Sequence, residues 1–124
     1  MNIISTKNAP QAIGPYSQAI MANGMIYTSG QIGLLPNGDM AGNGIVSQAN
    51  QVLTNLKAVL EAGGSSMDMV IKTTIFLADM DDFVALNEVY AEHFGNHKPA
   101  RSTVAVKTLP KNALVEIECI AVVV

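Results

Sequence analysis

The C-terminal segment constrains the fold more than any other stretch of this chain. Val115 to Val124 reads as a strand, in which successive side chains point to opposite faces. Val115, Ile117, Cys119, Ala121 and Val123 then share one face, and Glu116, Glu118, Ile120, Val122 and Val124 share the other. Both faces turn apolar toward the C-terminal end. A sheet containing such a strand needs cover on both sides.

The rest of the chain supplies cover for only one side. Ser17 to Ala22 and Met25 to Ile32 flank Asn23-Gly24, the dipeptide that favours a two-residue type I′ hairpin turn. Pro36-Asn37-Gly38-Asp39 marks a further turn, extended as a loop by Gly42 and Gly44. Ser47 to Ala62 is predicted as a helix capped by Ser47, with Ala49, Val52, Leu53, Leu56, Val59 and Leu60 on one face and Gly63-Gly64 as its stop. Met69 to Ala78 reads as a strand. Asp79, Asp81 and Asp82 then favour the start of a second helix, whose stripe is Phe83, Leu86, Tyr90 and Phe94. Lys98-Pro99 breaks the chain before a strand at Arg101 to Val106 and a turn at Leu109 to Asn112. The expected class is α+β: a two-layer sandwich of a mixed sheet with two helices on one face, spanning residues 1–124 as a single domain. The uncovered face calls for a partner subunit.

Charge points the same way. Seven Lys plus Arg and ten Asp plus Glu make up 14% of 124 residues, against about 25% in an average soluble domain. Such a small domain has much surface to cover. The net charge of −3 argues against a broad nucleic-acid surface. No apolar run approaches the ~20 residues needed to cross a bilayer, and the N-terminus lacks the pattern of a signal peptide. The single Cys119 cannot form an internal disulfide, which fits a cytoplasmic location. With only His93 and His97 besides, no metal site is expected.

Arg101 is the leading candidate for chemistry. It opens a strand in a chain poor in positive charge, and a guanidinium fork suits a carboxylate. The alternative is a surface Arg or a structural ion pair with a nearby Glu. Glu116 and Glu118 lie on one face of the last strand; a carboxylate in a low-dielectric cleft passes protons near neutral pH. The alternative there is the solvated face of an edge strand. Gly14-Pro15-Tyr16-Ser17-Gln18 and Tyr27-Thr28-Ser29-Gly30-Gln31 frame the hairpin; their Tyr and Ser side chains can donate hydrogen bonds to a small polar ligand, and Gly30 lets backbone approach it, though ordinary turn and strand chemistry also explains them. Asn87 sits in mid-helix, where Asn is mildly unfavourable; it is either buried for a purpose or merely exposed. Cys119 shares the face of Val115 and Ile117 and reads as a buried, inert thiol.

These segments in this order resemble the Rid family, also called YjgF, of reactive-intermediate imine deaminases. The likeness runs nearly end to end. It rests on Ala12-Ile13-Gly14-Pro15-Tyr16-Ser17-Gln18-Ala19, Thr28-Ser29-Gly30-Gln31-Ile32, Gln51-Val52-Leu53, Asn55-Leu56 and Asn87-Glu88-Val89-Tyr90. It continues through Pro99-Ala100-Arg101-Ser102-Thr103-Val104, Leu109-Pro110 and Val115-Glu116-Ile117-Glu118. The resemblance implies hydrolysis of enamines and imines of the 2-aminoacrylate and 2-aminocrotonate type to 2-keto acids and ammonia, with no cofactor or metal. It implies a chorismate-mutase-like fold and a homotrimer with active sites in the clefts between subunits. Arg101 would grip the substrate carboxylate, and Glu116 would position water and carry a proton. Tyr16, Ser29, Gly30, Asn87 and Thr103 would line the cleft, with Tyr16, Ser29 and Gly30 contributed by a neighbouring subunit. Many deaminase-active members carry Cys where this chain has Thr103; activity should survive if the backbone there holds the water.

Two other functions compete with deamination. A trimeric module binding small carboxylates such as 2-keto acids would use Arg101 but gain little from Glu116. An RNA nuclease or translation inhibitor, a role attached to some relatives, is disfavoured by the low basic content.

Overall fold

The computed structural model describes residues 1–123. Its strands are β1 (Asn2–Ile4), β2 (Ala19–Ala22), β3 (Met25–Thr28), β4 (Gln31–Ile32), β5 (Val70–Leu77), β6 (Ala100–Ala105) and β7 (Val115–Val122). The helices are α1 (Ile45–Ala62) and α2 (Phe83–Phe94). The sheet order is β1-β2-β3-β7-β5-β6, with β4 also pairing with β7. Every pairing is antiparallel except β5 with β6, which α2 connects as a parallel crossover. This is the expected mixed sheet with two helices.

The helices bury one face of the sheet. Val52, Leu53, Leu56, Val59 and Leu60 of α1 and Leu86 and Val89 of α2 pack on Ile26, Ile75, Leu77, Val115, Ile117 and Ala121. Every α1 residue expected to face the core is buried. The other face lies open. Cross-strand register aligns Ile3, Ile20, Tyr27 and Ile120 as one apolar row across four strands. Ile3 and Tyr27 are exposed, as is Val104 farther along the same face. Val124, assigned by the sequence pattern to this face, lies outside the described residues. None of the described helices is long and apolar enough to cross a membrane.

Several element boundaries differ from the sequence reading. Ser47 does not cap α1. The helix starts at Ile45 with Gly44 at the cap, and the Ser47 hydroxyl donates back to the Gly44 carbonyl at 3.1 Å. The second hairpin strand is interrupted at Ser29-Gly30, giving β3 and β4. Met67–Met69 form a 3₁₀ turn rather than the start of β5, and Pro110–Asn112 form another. The strand at Asn2–Ile4 was not anticipated. Asn23 and Gly24 do adopt the positive φ values, 52° and 72°, that the tight hairpin requires.

Candidate functional site

Buried amide side chains fix the loops around the open end of the hairpin. Gln18, 3% exposed, accepts from the Thr6 amide at 2.7 Å and donates to the Pro10 carbonyl at 2.7 Å, which ties down the N-terminal loop. Asn55, fully buried in α1, donates to the Leu34 carbonyl at 2.8 Å. Gln48 donates to the Gly42 carbonyl and accepts from the Leu114 amide. A buried amide left without partners would cost about 1–3 kcal/mol, so these bonds hold the loops in place. Between them lies a cavity of about 680 Å³, lined by Tyr16, Gln18, Ser29, Gly30 and Glu116 among others.

Glu116 is the acidic group of this cavity. On β7 it pairs with Ile32 on one side and Phe76 on the other, so its carboxyl rises from the open face beside apolar neighbours. Burial raises its pKa above the ordinary carboxylate value, and the neighbouring Glu118 charge raises it further. Gly30 stands directly against it: a Cβ built there would lie 2.7 Å from the Glu116 carboxyl carbon. The absence of a side chain at Gly30 is what gives the carboxyl its place. Tyr16 is exposed at the rim. The Ser29 hydroxyl donates to the Ser17 carbonyl at 2.6 Å, so its one proton is committed within the fold. Contrary to the sequence expectation of a donor, Ser29 offers a ligand only its oxygen lone pairs.

Arg101 lies elsewhere. It pairs with Thr73 on β5, whereas Glu116 pairs with Phe76; positions three apart on a strand face opposite ways. Arg101 therefore projects on the helix side and Glu116 on the open side. The Arg101 guanidinium donates from Nη1 to Asn87 Oδ1 at 2.8 Å. It also sits over two rings of α2, 5.0 Å from the Tyr90 centroid and 5.6 Å from that of Phe83. These partners replace the structural ion pair that the sequence left open. A second hollow, of about 310 Å³, opens here between Asn87, Tyr90, Pro99 and Arg101. Thr103, two residues along β6, shares Arg101's face, and its buried hydroxyl has no hydrogen-bond partner.

The seven candidate residues thus form two groups within one chain. Tyr16, Ser29, Gly30 and Glu116 make one group; Asn87, Arg101 and Thr103 make the other. The resemblance sets only Tyr16, Ser29 and Gly30 apart; the structure places Glu116 with them. In the sequence the aromatic partners Phe83 and Tyr90 belong to the apolar stripe of the helix. Their spacing with Asn87, at steps of four and three, was the available signal, because it aligns all three on one helix face. Cys119 is buried as expected: its thiol is pushed up to about 11 by burial, and its amide donates to the Thr28 hydroxyl.

Comparison with known proteins adds a lineage. The family model described as Endoribonuclease L-PSP matches residues 6–123. A RutC family protein of Pyrococcus horikoshii is 53% identical over 120 residues, covering 96% of this chain and 95% of that protein. A goat (Capra hircus) protein named 2-iminobutanoate/2-iminopropanoate deaminase is 49% identical over 121 residues, covering 97% of this chain and 88% of its own. Among solved structures, the Rid-family protein YyfA of Yersinia pestis superposes with a TM-score of 0.96 at 52% identity, covering 98% of each chain.

Proposed function

The chain belongs to the Rid family, whose model carries the description Endoribonuclease L-PSP, and on that premise we propose that it hydrolyses small 2-imino acids to 2-keto acids and ammonia. The observation that carries this reading is the Glu116 carboxyl, seated against Gly30 with its proton affinity raised. A pocket that only bound keto acids would gain little from a second negative group. Water addition needs a proton carrier, and burial makes this carboxyl hold its proton more tightly than an ordinary one.

In this reading Arg101 holds the substrate carboxylate with the guanidinium donors that Asn87 leaves free. Glu116 orients a water on the imine carbon. The water oxygen bonds to that carbon, the C=N π pair goes to nitrogen, and the carboxyl relays the water's proton to the nitrogen. Glu116 then takes the carbinolamine hydroxyl proton and returns it to the nitrogen as the C–N bond breaks, so that ammonia leaves and the oxygen's electron pair forms the keto group. Every atom comes from the imine and one water, and Thr103 is called on for its backbone rather than for a thiol.

Arg101 and Glu116 face opposite sides of the sheet, so this chemistry joins the Arg101 group of one copy to the Glu116 group of another. The open apolar row through Ile20, Tyr27 and Ile120 supports the same arrangement, a homotrimer with clefts between subunits. Mass photometry at micromolar concentration should find the assembled form; a fully active monomer would refute the arrangement. RNA as substrate, which the family description raises, finds little support in a chain with net charge −3.

The test of the activity couples the protein to a serine or threonine dehydratase and follows keto-acid release. Acceleration over buffer is expected, with loss in Arg101→Ala while the assembly persists. No acceleration by the wild-type chain would remove the deaminase reading.

A further inference from the structure

We infer that Tyr90 and Phe83 are positioning residues for Arg101, an aromatic cradle that aims its guanidinium at the carboxylate of the ligand; this rests on the reading of Arg101 given above. A guanidinium on a flexible side chain needs restraint to present its fork at a fixed angle. Asn87 provides one point of attachment at Nη1. A single hydrogen bond leaves the plane free to swing about it. The rings of Tyr90 and Phe83, at 5.0 and 5.6 Å from the guanidinium carbon, lie within the range of cation–π attraction and supply the missing constraint.

The cradle is itself anchored. Tyr90 is 8% exposed, and its hydroxyl shares a 2.8 Å hydrogen bond with the fully buried Thr73, the residue paired with Arg101 across the strands. The Tyr90 ring also packs against Phe94, tilted by 37° with the centroids 4.6 Å apart. The phenol is therefore tied to the same sheet position as the cation it supports. Phe83, Asn87 and Tyr90 rise at successive turns of α2, so one helix face carries the whole support. The chain spends its aromatic residues sparingly, with three Phe, three Tyr and no Trp, and two of the six meet at this cation.

The experiment compares Tyr90→Leu, Phe83→Leu and Tyr90→Phe with the wild-type protein. The first readout is Kd for 2-oxobutanoate and for butanone, its analogue without the carboxylate, by titration calorimetry or NMR. The second is ¹⁵N relaxation of the Arg101 Nε–H group with no ligand present. Tyr90→Leu should weaken 2-oxobutanoate binding roughly tenfold, leave butanone unchanged and loosen the Arg101 side chain. Phe83→Leu should do the same to a smaller degree. Tyr90→Phe keeps the ring and should rescue both readouts, even if losing the bond to Thr73 lowers Tm. Equal loss for both ligands, or an Arg101 side chain as rigid in Tyr90→Leu as in wild type, would overturn the inference. If wild type binds 2-oxobutanoate but accelerates no imine hydrolysis, the deaminase reading falls and the cradle stands. If wild type does not bind 2-oxobutanoate, the cradle falls, whatever the coupled assay shows for imine hydrolysis.

Discussion

Substituting Gly30 by Ala tests the placement of Glu116 without touching the carboxylate. The new Cβ would lie 2.7 Å from the Glu116 carboxyl carbon, 2.8 Å from Oε2 and 2.9 Å from Cγ, whereas ordinary contact begins at 3.4 Å. The carboxyl must therefore retreat by about 0.7 Å, the difference between 3.4 and 2.7 Å. Gly30 does not have a left-handed φ, so the backbone accepts Ala without strain. The group that yields is the end of a half-buried side chain, and stability should change by no more than about 0.5 kcal/mol. Chemistry is less forgiving: a displacement of about 1 Å at reacting groups costs up to about 10²-fold. Gly30→Ala should thus lower kcat/KM by roughly 10- to 100-fold, or about 1.4–2.7 kcal/mol of transition-state stabilisation. The dehydratase-coupled assay reads this, with thermal unfolding run in parallel. Gly33→Ala supplies the contrast, because its Cβ would meet the Gln48 backbone at 2.9 Å, which cannot swing aside, and its cost should appear in Tm. Wild-type kcat/KM in a well-folded Gly30→Ala protein would refute the role given to Glu116.

Three further outcomes are expected. Because the folded-state pKa of Glu116 is raised above its ordinary 4.5, the group's contribution to stability is fully present below that value and is lost as pH rises through the raised one. Glu116→Gln should abolish activity yet match or exceed the wild-type Tm at neutral pH, and the advantage should vanish in acid; a lower Tm at neutral pH would contradict this. Glu118 contributes to the upward shift, so Glu118→Gln should move the Glu116-dependent limb of the pH–rate profile toward acid, and a limb that stays in place would exclude that coupling. With its pKa near 11, Cys119 should be thiolate in only about one molecule in a thousand at pH 8, so native protein should resist a thiol reagent that labels it at once after unfolding.

Much of the architecture was legible because its signals are local. Asn23-Gly24 specifies a turn through two positive φ angles, and the α1 stripe specifies a buried face through its spacing. Boundaries were less legible where a residue without a capping side chain starts the helix: Ser47 has the chemistry of a cap, but the cap is Gly44, three residues earlier, and the Ser47 hydroxyl donates back to its carbonyl. A three-residue strand such as Asn2–Ile4 carries too short a pattern to read and exists through its pairing with β2. The site residues were individually visible, since an isolated Arg and a Glu-x-Glu stand out in a chain with so little charge. Their division between two faces was not. It depends on the register of β5 against both β6 and β7, and no spacing within one segment encodes it.

In the proposed assembly the opposed faces of Arg101 and Glu116 also have a genetic consequence. A chain damaged at Arg101 keeps an intact Glu116 surface, and a chain damaged at Glu116 keeps an intact Arg101 hollow. Two alleles, each null alone, would then complement when expressed together. With equal amounts and random assembly, about one quarter of the clefts join a sound half from each allele. A cell holding two different broken copies would keep part of the function that either copy alone has lost.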